Sequence, residues 1–217
     1  MTVTMKLLDL VRPVPLIAIL RGLEPGQAQP VGHALVAAGF RAIEVPLNRP
    51  GALVCIETLV RTLPGEILVG GGTMLTVADV DAVHAAGGRL MVSPNCNPEV
   101  IAHAAALGML CAPGVATPTE AFAALQAGAH ALKLFPSEMV GHGGLKALRS
   151  VLPSGLDFWP VGGVTPQSIP AWVAAGATGF GIGTPLFDPK RSLEELSDRA
   201  QAFVNAWNEA TLARPVA

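Results

Sequence analysis

The sequence predicts an α/β fold in which eight parallel strands and the helices between them form a single barrel. Short apolar runs alternate eight times with alanine-rich segments that are long enough for helices. Each run is apolar almost throughout, which is typical of parallel strands that are covered on both faces. The length of 217 residues also lies within the range of one (β/α)8 barrel, the TIM barrel. We therefore expect one TIM-barrel domain over residues 1–217, with a short helix at its N-terminus.

The order of the predicted elements follows the chain. The predicted strands are Leu16–Leu20, Ala42–Leu47, Glu66–Gly70, Leu90–Ser93, Met109–Ala112, Ala131–Phe135, Phe158–Val161 and Gly179–Gly183. The predicted helices include Ala28–Ala38, Val77–Ala86, Glu99–Leu107, Thr119–Ala127 and Pro166–Ala174. Several helical segments are followed by glycine, the residue expected just after a helix: Gly39, Gly87, Gly108, Gly128 and Gly176. A doubly wound open sheet is the alternative, but the turn after the first strand lacks the glycine-rich motif that binds dinucleotides in that fold.

Composition excludes several classes of protein. Charged residues make up 14% of the chain and the formal net charge is −2, so nothing indicates a nucleic-acid partner. Residues 158–187 carry no charge, but four prolines interrupt them, which is unlike a membrane-spanning helix. The N-terminus does not resemble a signal peptide. We expect a cytoplasmic protein without a membrane partner. The cysteines and histidines lack the spacings of metal sites, so we expect no bound metal.

Two charged residues interrupt the apolar runs at positions that are predicted to face the interior of the barrel. Lys133 alternates with two leucines, and Glu44 lies between an isoleucine and a valine. Burial lowers the pKa of a lysine and raises the pKa of a glutamate. A neutral amine suits attack on a carbonyl, and a carboxyl group with a raised pKa suits proton transfer. The structural alternative is an exposed edge lysine, or an ion pair of Glu44 with Lys133 or Arg21.

Polar groups and glycines follow several strands, at the end of the barrel where active sites form. Arg21 ends the first strand and suits a carboxylate or a phosphate, although an ion pair at the rim is the alternative. Gly70–Thr73 either form a tight turn or allow a ligand to approach the backbone, with the Thr73 hydroxyl at the mouth. Gly162–Gly163 and Gly183–Thr184 follow the last two strands, where barrels of this type frequently bind phosphate. We expect a phosphate site there.

Seven motifs lie in order along nearly the whole chain. They are Arg21-Gly22, Glu44-Val45-Pro46-Leu47-Asn48, Gly71-Gly72-Thr73, Ser93-Pro94-Asn95, Pro113-Gly114-Val115-Ala116-Thr117, Lys133-Leu134-Phe135-Pro136 and Val161-Gly162-Gly163-Val164. In this order and spacing they resemble the 2-keto-3-deoxy-6-phosphogluconate/galactonate aldolases. The resemblance implies a class I aldolase, a homotrimer of TIM barrels that uses neither a metal nor another cofactor. Its ligands would be a phosphorylated sugar acid and pyruvate.

The resemblance also implies a role for each matching residue. Lys133 matches the Schiff-base lysine and Glu44 the catalytic acid/base. The other matches are Arg21 and Thr73 for substrate contact, Pro94 and Phe135 for the pyruvate pocket, and Gly162, Gly163, Gly183 and Thr184 for the phosphate site. In the implied reaction, Lys133 condenses with the C2 ketone and Glu44 takes the proton of the C4 hydroxyl. The C3–C4 bond then breaks, glyceraldehyde 3-phosphate leaves, and hydrolysis of the imine frees pyruvate.

Two departures from the family pattern bear on the substrate. Members that act on the gluconate epimer usually read Glu-Val-Thr-Leu-Arg after the second strand, where this chain has Pro46 and Asn48. They usually carry threonine where this chain has Val161. Both differences are similar to the galactonate-type members, and Arg49 is one residue late for the arginine of the other type. The alternatives are the gluconate epimer as substrate, a phosphosugar epimerase or isomerase, and a phosphosugar-binding barrel without catalytic activity.

Overall fold

The computed structural model describes residues 8–212, so both ends of the predicted domain, 1–7 and 213–217, lie outside the described residues. Nine short strands form two parallel sheets. The strands are β1 (Leu16–Ile19), β2 (Ala42–Pro46), β3 (Leu68–Gly72), β4 (Leu90–Val92), β5 (Leu110–Ala112), β6 (Gly114–Val115), β7 (Ala131–Leu134), β8 (Asp157–Pro160) and β9 (Phe180–Ile182). Each of the eight predicted runs contains a strand, which confirms the prediction of an α/β fold with parallel strands.

Helices connect the strands. They are α1 (Ala28–Ala37), α2 (Ala52–Thr62), α3 (Val77–Ala85), α4 (Pro98–Ala106), α5 (Pro118–Gln126), α6 (Ser137–Val151), α7 (Ile169–Ala174) and α8 (Leu193–Leu212). Residues 8–11 are also helical, as expected near the N-terminus. The glycines that were predicted to follow helices all adopt positive φ, between 75° and 106°, which confirms that prediction. Between Leu8 and Leu212 no helix is both long and apolar enough to cross a bilayer.

The third strand differs from its prediction. The sequence predicted a strand that ends at Gly70, with a glycine turn as one reading, but β3 continues through Gly72 and pairs there with Pro46. A Cβ at Gly70 would overlap the backbone of Leu90 in β4. The glycines therefore let two strands approach closely, and the tight-turn reading is wrong.

Prolines explain two further differences. The fifth predicted strand is longer than expected, because pairing resumes after Pro113 as β6. The last predicted helix begins as a short 3-10 turn, Pro166–Ser168, and α7 starts at Ile169. An α-helix from Pro166 would need an N–H group at Pro170 to bond to the Pro166 carbonyl, and proline has none.

The two sheets have the strand orders β5-β4-β3-β2-β1-β9 and β6-β7-β8. Backbone hydrogen bonds join β5 to β7, from His130 N to Cys111 O at 2.9 Å and from Lys133 N to Pro113 O at 2.9 Å. On the other side, Val161 forms a parallel bridge with Gly181, which joins the end of β8 to β9. Both edge strands of the larger sheet, β5 and β9, are thus linked to the smaller sheet.

Buried apolar side chains form two clusters, and the clusters show which way each strand residue faces. The larger cluster lies between strands and helices and contains the neighbours of both charged strand residues: Ile43, Val45, Leu132 and Leu134. The smaller cluster is enclosed by the strands and contains Ala42 and Ala131. Ala42 and Ala131 precede Glu44 and Lys133 by two positions, which places each pair on one face of its strand. Glu44 and Lys133 therefore face the interior, as predicted.

Candidate active site

Lys133 is buried in the middle of β7, with 7% of its surface exposed. It pairs with Gly114 on one side and Trp159 on the other. Its Nζ lies 4.8 Å from the centre of the Phe135 ring, a cation–π distance. Burial lowers the pKa of Lys133 below the ordinary 10.5, and the charge of Arg21 lowers it further, while Glu44 partly opposes the shift. The environment therefore favours the neutral amine.

Glu44 is buried in β2, with 2% of its surface exposed, and it pairs with Ile19 and Gly70. Burial raises the pKa of Glu44 above the ordinary 4.5, and the positive charges of Lys133 and Arg21 only partly oppose this. Within residues 8–212, no ion pair at 4.0 Å or less involves Glu44. The direct ion pair that was the structural alternative is therefore absent, and the charges interact at a longer distance.

A cavity of about 380 Å³ opens at the ends of four strands. Six of the ten predicted site residues line it: Arg21, Phe135, Gly162, Gly163, Gly183 and Thr184. Lys133 does not line the cavity itself, but its Nζ lies 4.8 Å from the centre of the ring of Phe135, which does. The ends of β1, β7, β8 and β9 thus contribute to one space, as expected for the carboxyl ends of parallel strands.

The glycine-lined wall of this cavity is suited to an anion. Gly162 and Gly163 adopt φ values of 118° and 58°, a backbone conformation that side-chain-bearing residues rarely adopt. Four backbone N–H groups of the wall find no acceptor within residues 8–212: those of Gly163, Val164, Gly183 and Thr184. Unpaired N–H groups around a concavity bind phosphate oxygens without a basic side chain.

Thr73 and Pro94 lie at the neighbouring strand ends. Thr73 follows Gly72 and has a φ of 56°. Within residues 8–212, every other residue with a positive φ is a glycine. Such a conformation costs of order 1–3 kcal/mol and is concentrated at functional sites. The Pro94 carbonyl lies against Gly114, the residue that pairs with Lys133, and leaves no room there for a Cβ. Thr73 thus follows the glycine that lies against the Glu44 carboxyl group, and Pro94 lies against the strand neighbour of Lys133.

This arrangement of strands and interior charges agrees with a known family. The sequence model of the protein family described as KDPG and KHG aldolase matches residues 7–201, which is most of the chain. The chain belongs to the KDPG and KHG aldolase family. The protein is therefore an aldolase, a lyase that cleaves a carbon–carbon bond. Within residues 8–212 of this aldolase, no group of three or more His, Cys, Asp and Glu side chains could hold a metal ion.

Several relatives of this aldolase match over almost their full length. It is 48% identical over 194 residues to the probable 2-dehydro-3-deoxy-6-phosphogalactonate aldolase of Rhizobium meliloti strain 1021, covering 89% of this chain and 92% of the relative. It is 46% identical over 197 residues to the 2-dehydro-3-deoxy-6-phosphogalactonate aldolase of Escherichia coli strain K12, covering 91% and 96%. The solved structure of native KDPGal superposes with a TM-score of 0.90 at 45% identity, covering 92% of this chain and 97% of the other.

The structure of the aldolase also adds two residues to those predicted. Glu138, in the first turn of α6, lines the cavity, and only its place shortly after Lys133 could have pointed to it in the sequence. Arg49, whose role the sequence left open, is exposed and lines a second cavity of about 520 Å³. Arg21 and Thr184 belong to the walls of both cavities, so Arg49 lies at the approach to the site.

Gly72 offers a test of how tightly the Glu44 carboxyl group is held. A Cβ at Gly72 would overlap that carboxyl group, which has no free space to move into because it is buried. We expect Gly72→Ala to lower kcat by about 100-fold, since displacement of a catalytic group by about 1 Å has effects of that size. Overpacking would lower the free energy of unfolding by about 1–3 kcal/mol.

Steady-state kinetics and urea unfolding measure the two effects of Gly72→Ala. Gly65→Ala, just before the same strand, is the matched control, because an added Cβ meets no atom within 4 Å there. An unchanged kcat in Gly72→Ala would show that the position of the Glu44 carboxyl group does not limit turnover.

Proposed function

We propose that this aldolase cleaves 2-dehydro-3-deoxy-6-phosphogalactonate into pyruvate and D-glyceraldehyde 3-phosphate, a step of galactonate catabolism. The observation that carries the proposal is the buried Lys133 beside a cavity with a glycine-lined wall. An amine with a lowered pKa and a glycine-lined wall that suits an anion fit a substrate with a ketone at one end and a phosphate at the other. The names of the relatives support the same substrate.

The first half of the reaction forms the electron sink. The Lys133 amine attacks the C2 carbonyl carbon, and loss of water gives a protonated imine. The Glu44 carboxylate takes the proton of the C4 hydroxyl, the C3–C4 bond breaks, and its electron pair moves into an enamine. D-glyceraldehyde 3-phosphate then leaves. This sequence needs no metal or cofactor, because the imine itself accepts the electrons.

The second half restores the enzyme. Glu44 returns its proton to C3 of the enamine, which gives the imine of pyruvate. Water attacks C2, pyruvate leaves, and Lys133 is again a free amine. The raised pKa of Glu44 and the lowered pKa of Lys133 suit this cycle, because one group must exchange a proton and the other must attack in its neutral form.

The remaining site residues orient the substrate in this proposal. The phosphate binds the glycine turns at Gly162–Gly163 and Gly183–Thr184, where N–H groups are free to donate. Arg21 and Thr73 bind polar groups of the sugar acid at the mouth of the barrel. Pro94 and Phe135 surround the carbons that become pyruvate, since Phe135 lies beside Lys133 and Pro94 lies against Gly114, the strand neighbour of Lys133.

The preference for the galactonate epimer rests on two apolar positions. Val161 lines the cavity, and Pro46 ends β2 beside Gly72. Neither side chain offers the hydroxyl that gluconate-type members usually carry at these positions. We infer that a hydroxyl placed for the gluconate epimer finds no partner there and that the C4 epimer binds better.

The proposal includes the complete architecture. Residues 8–212 belong to one domain, a closed eight-stranded TIM barrel in which β5 and β6 together serve as the fifth strand. The hydrogen bond from His130 to Cys111 and the bridge between Val161 and Gly181 support closure, because they join the sheets at both edges. A closed barrel leaves no strand edge unpaired.

We further propose that three chains assemble and act in the cytoplasm. The family resemblance supports a homotrimer, in which large apolar side chains that are exposed on the helices would be covered: Leu53, Val54, Val60, Phe122 and Met139. Analytical ultracentrifugation would then give three times the chain mass of 22.3 kDa. The highly charged substrate does not cross bilayers unaided, which supports a reaction inside the cell.

Trapping and epimer kinetics test this function together. Treatment with pyruvate and borohydride should leave a stable adduct on Lys133, located by peptide mass spectrometry. Cleavage of the galactonate epimer should exceed that of the gluconate epimer by about ten-fold or more in kcat/KM, the scale on which an unpartnered polar group acts. Trapping together with faster cleavage of the gluconate epimer would support the gluconate assignment. Phosphosugar binding without an adduct would indicate a barrel that is not an aldolase.

A further inference from the structure

Ser137 holds the next residue, Glu138, against the glycine-lined wall of the cavity. Ser137 N donates to Val161 O at 3.0 Å, and Ser137 Oγ donates to Gly162 O at 2.7 Å. These bonds tie the start of α6 to the Gly162–Gly163 turn. The carboxyl group of Glu138 covers both glycines: a Cβ at Gly163 would lie 2.9–3.2 Å from Glu138 Cγ, Oε1 and Cδ, and a Cβ at Gly162 would overlap Oε2.

No positively charged side chain within residues 8–212 forms an ion pair with Glu138. Within the described chain, Glu138 takes part in no ion pair at 4.0 Å or less and accepts no hydrogen bond. The other charged side chain of the cavity wall is Arg21. A phosphate on the glycine turns would thus share one small cavity with an unpaired carboxylate.

We propose that Glu138 is a specificity-determining residue that weakens the binding of the phosphate group by charge repulsion. Two like charges a few ångströms apart repel appreciably where water is partly excluded, even though salt reduces the effect. The N–H groups and Arg21 attract the phosphate, and Glu138 limits that attraction, so that the phosphorylated aldehyde is released. The inference rests on the proposed function, because it assumes a phosphate in this cavity.

Glu138→Gln tests the charge while preserving the shape of the side chain. We expect the variant to bind inorganic phosphate about ten-fold more tightly than the unmodified protein, measured by titration calorimetry at low ionic strength. The KM for the phosphorylated substrate should fall by a similar factor, and the KM for the same sugar acid without phosphate should change by less than about two-fold. The difference should shrink in high salt.

Glu99→Gln is the matched control, because Glu99 is also the second residue of its helix but does not line the cavity. It should bind phosphate as the unmodified protein does. Unchanged or weaker phosphate binding by Glu138→Gln would overturn the inference, as would an equal fall in KM for the unphosphorylated sugar acid.

Failure of the proposed function is a separate outcome. An unmodified protein that does not cleave the phosphorylated substrate would refute the proposed function. The calorimetric comparison needs no turnover and would still decide the role of Glu138.

Discussion

Lys133→Met is expected to lower kcat/KM on the order of 10⁶-fold, the scale seen when a covalent nucleophile is removed from an enzyme. That factor corresponds to about 8 kcal/mol of lost transition-state stabilisation. Methionine is similar in length and fits an apolar interior, but it cannot form an imine. Without the imine, the electrons of the C3–C4 bond have no acceptor. Stopped assays of aldehyde release and borohydride trapping with pyruvate should both give no signal.

Two further variants separate chemistry from folding in this test. Lys146→Met makes the same substitution at an exposed position of α6 and should leave activity unchanged. Lys133→Arg keeps the positive charge but removes the nucleophile, so it should be as inactive as Lys133→Met. Substantial cleavage by Lys133→Met with a normal thermal transition would exclude the Schiff-base mechanism.

Glu44→Gln is expected to lower kcat by about 10²- to 10⁴-fold, the range for the loss of a general acid/base. Glutamine fills the same space against Gly72 but neither takes nor returns a proton. Imine formation on Lys133 does not require Glu44 in the proposed cycle, so borohydride trapping with pyruvate should persist. Glu57→Gln, on the exposed face of α2, is the control and should keep full activity. Loss of trapping in Glu44→Gln would assign Glu44 to imine formation instead.

The dependence on pH adds an independent measure of Glu44. The reaction begins with Glu44 deprotonated, so kcat/KM should fall as the pH drops through its raised pKa, and Glu44→Gln should lose this limb of the profile. The fall in kcat/KM that comes from protonation of Lys133 at low pH should remain in Glu44→Gln, because the neutral amine is still required.

The raised pKa of Glu44 should make the free energy of unfolding depend on pH in the direction opposite to kcat/KM. Between the ordinary pKa of 4.5 and the raised pKa, the folded protein binds more protons than the unfolded chain. The free energy of unfolding therefore falls as the pH rises through that window. Glu44→Gln removes this penalty, so its stability advantage over the unmodified protein should grow with pH above 4.5, as measured by urea unfolding. An advantage that does not change with pH would contradict the raised pKa.

The sequence by itself determined the alternation of strands and helices and the residues that face the interior. These features are local: side chains alternate along a strand, and glycine adopts the positive φ that ends a helix. Lys133 and Glu44 could therefore be selected as candidates from their apolar neighbours and the predicted barrel, and Gly162–Gly163 from their position after the seventh predicted strand. The proline at position 170 also carried a local signal, the missing N–H, that would have moved the start of α7.

Tertiary structure decided what depends on groups that are distant in the chain. The glycines of β3 looked like a turn because nothing in their own segment reveals the backbone of Leu90 or the Glu44 carboxyl group that fill the space of a Cβ. The positive φ of Thr73 runs against the preference of a β-branched residue, so only the surrounding structure could impose it. Glu138 lies against the glycine-lined wall because Ser137 donates hydrogen bonds to Val161 and Gly162, about 25 positions away in the chain. Charge, burial and distance combine only after folding. The direction of the Lys133 side chain could therefore be predicted from its own strand, whereas the effect of Arg21 and Glu44 on its pKa could not.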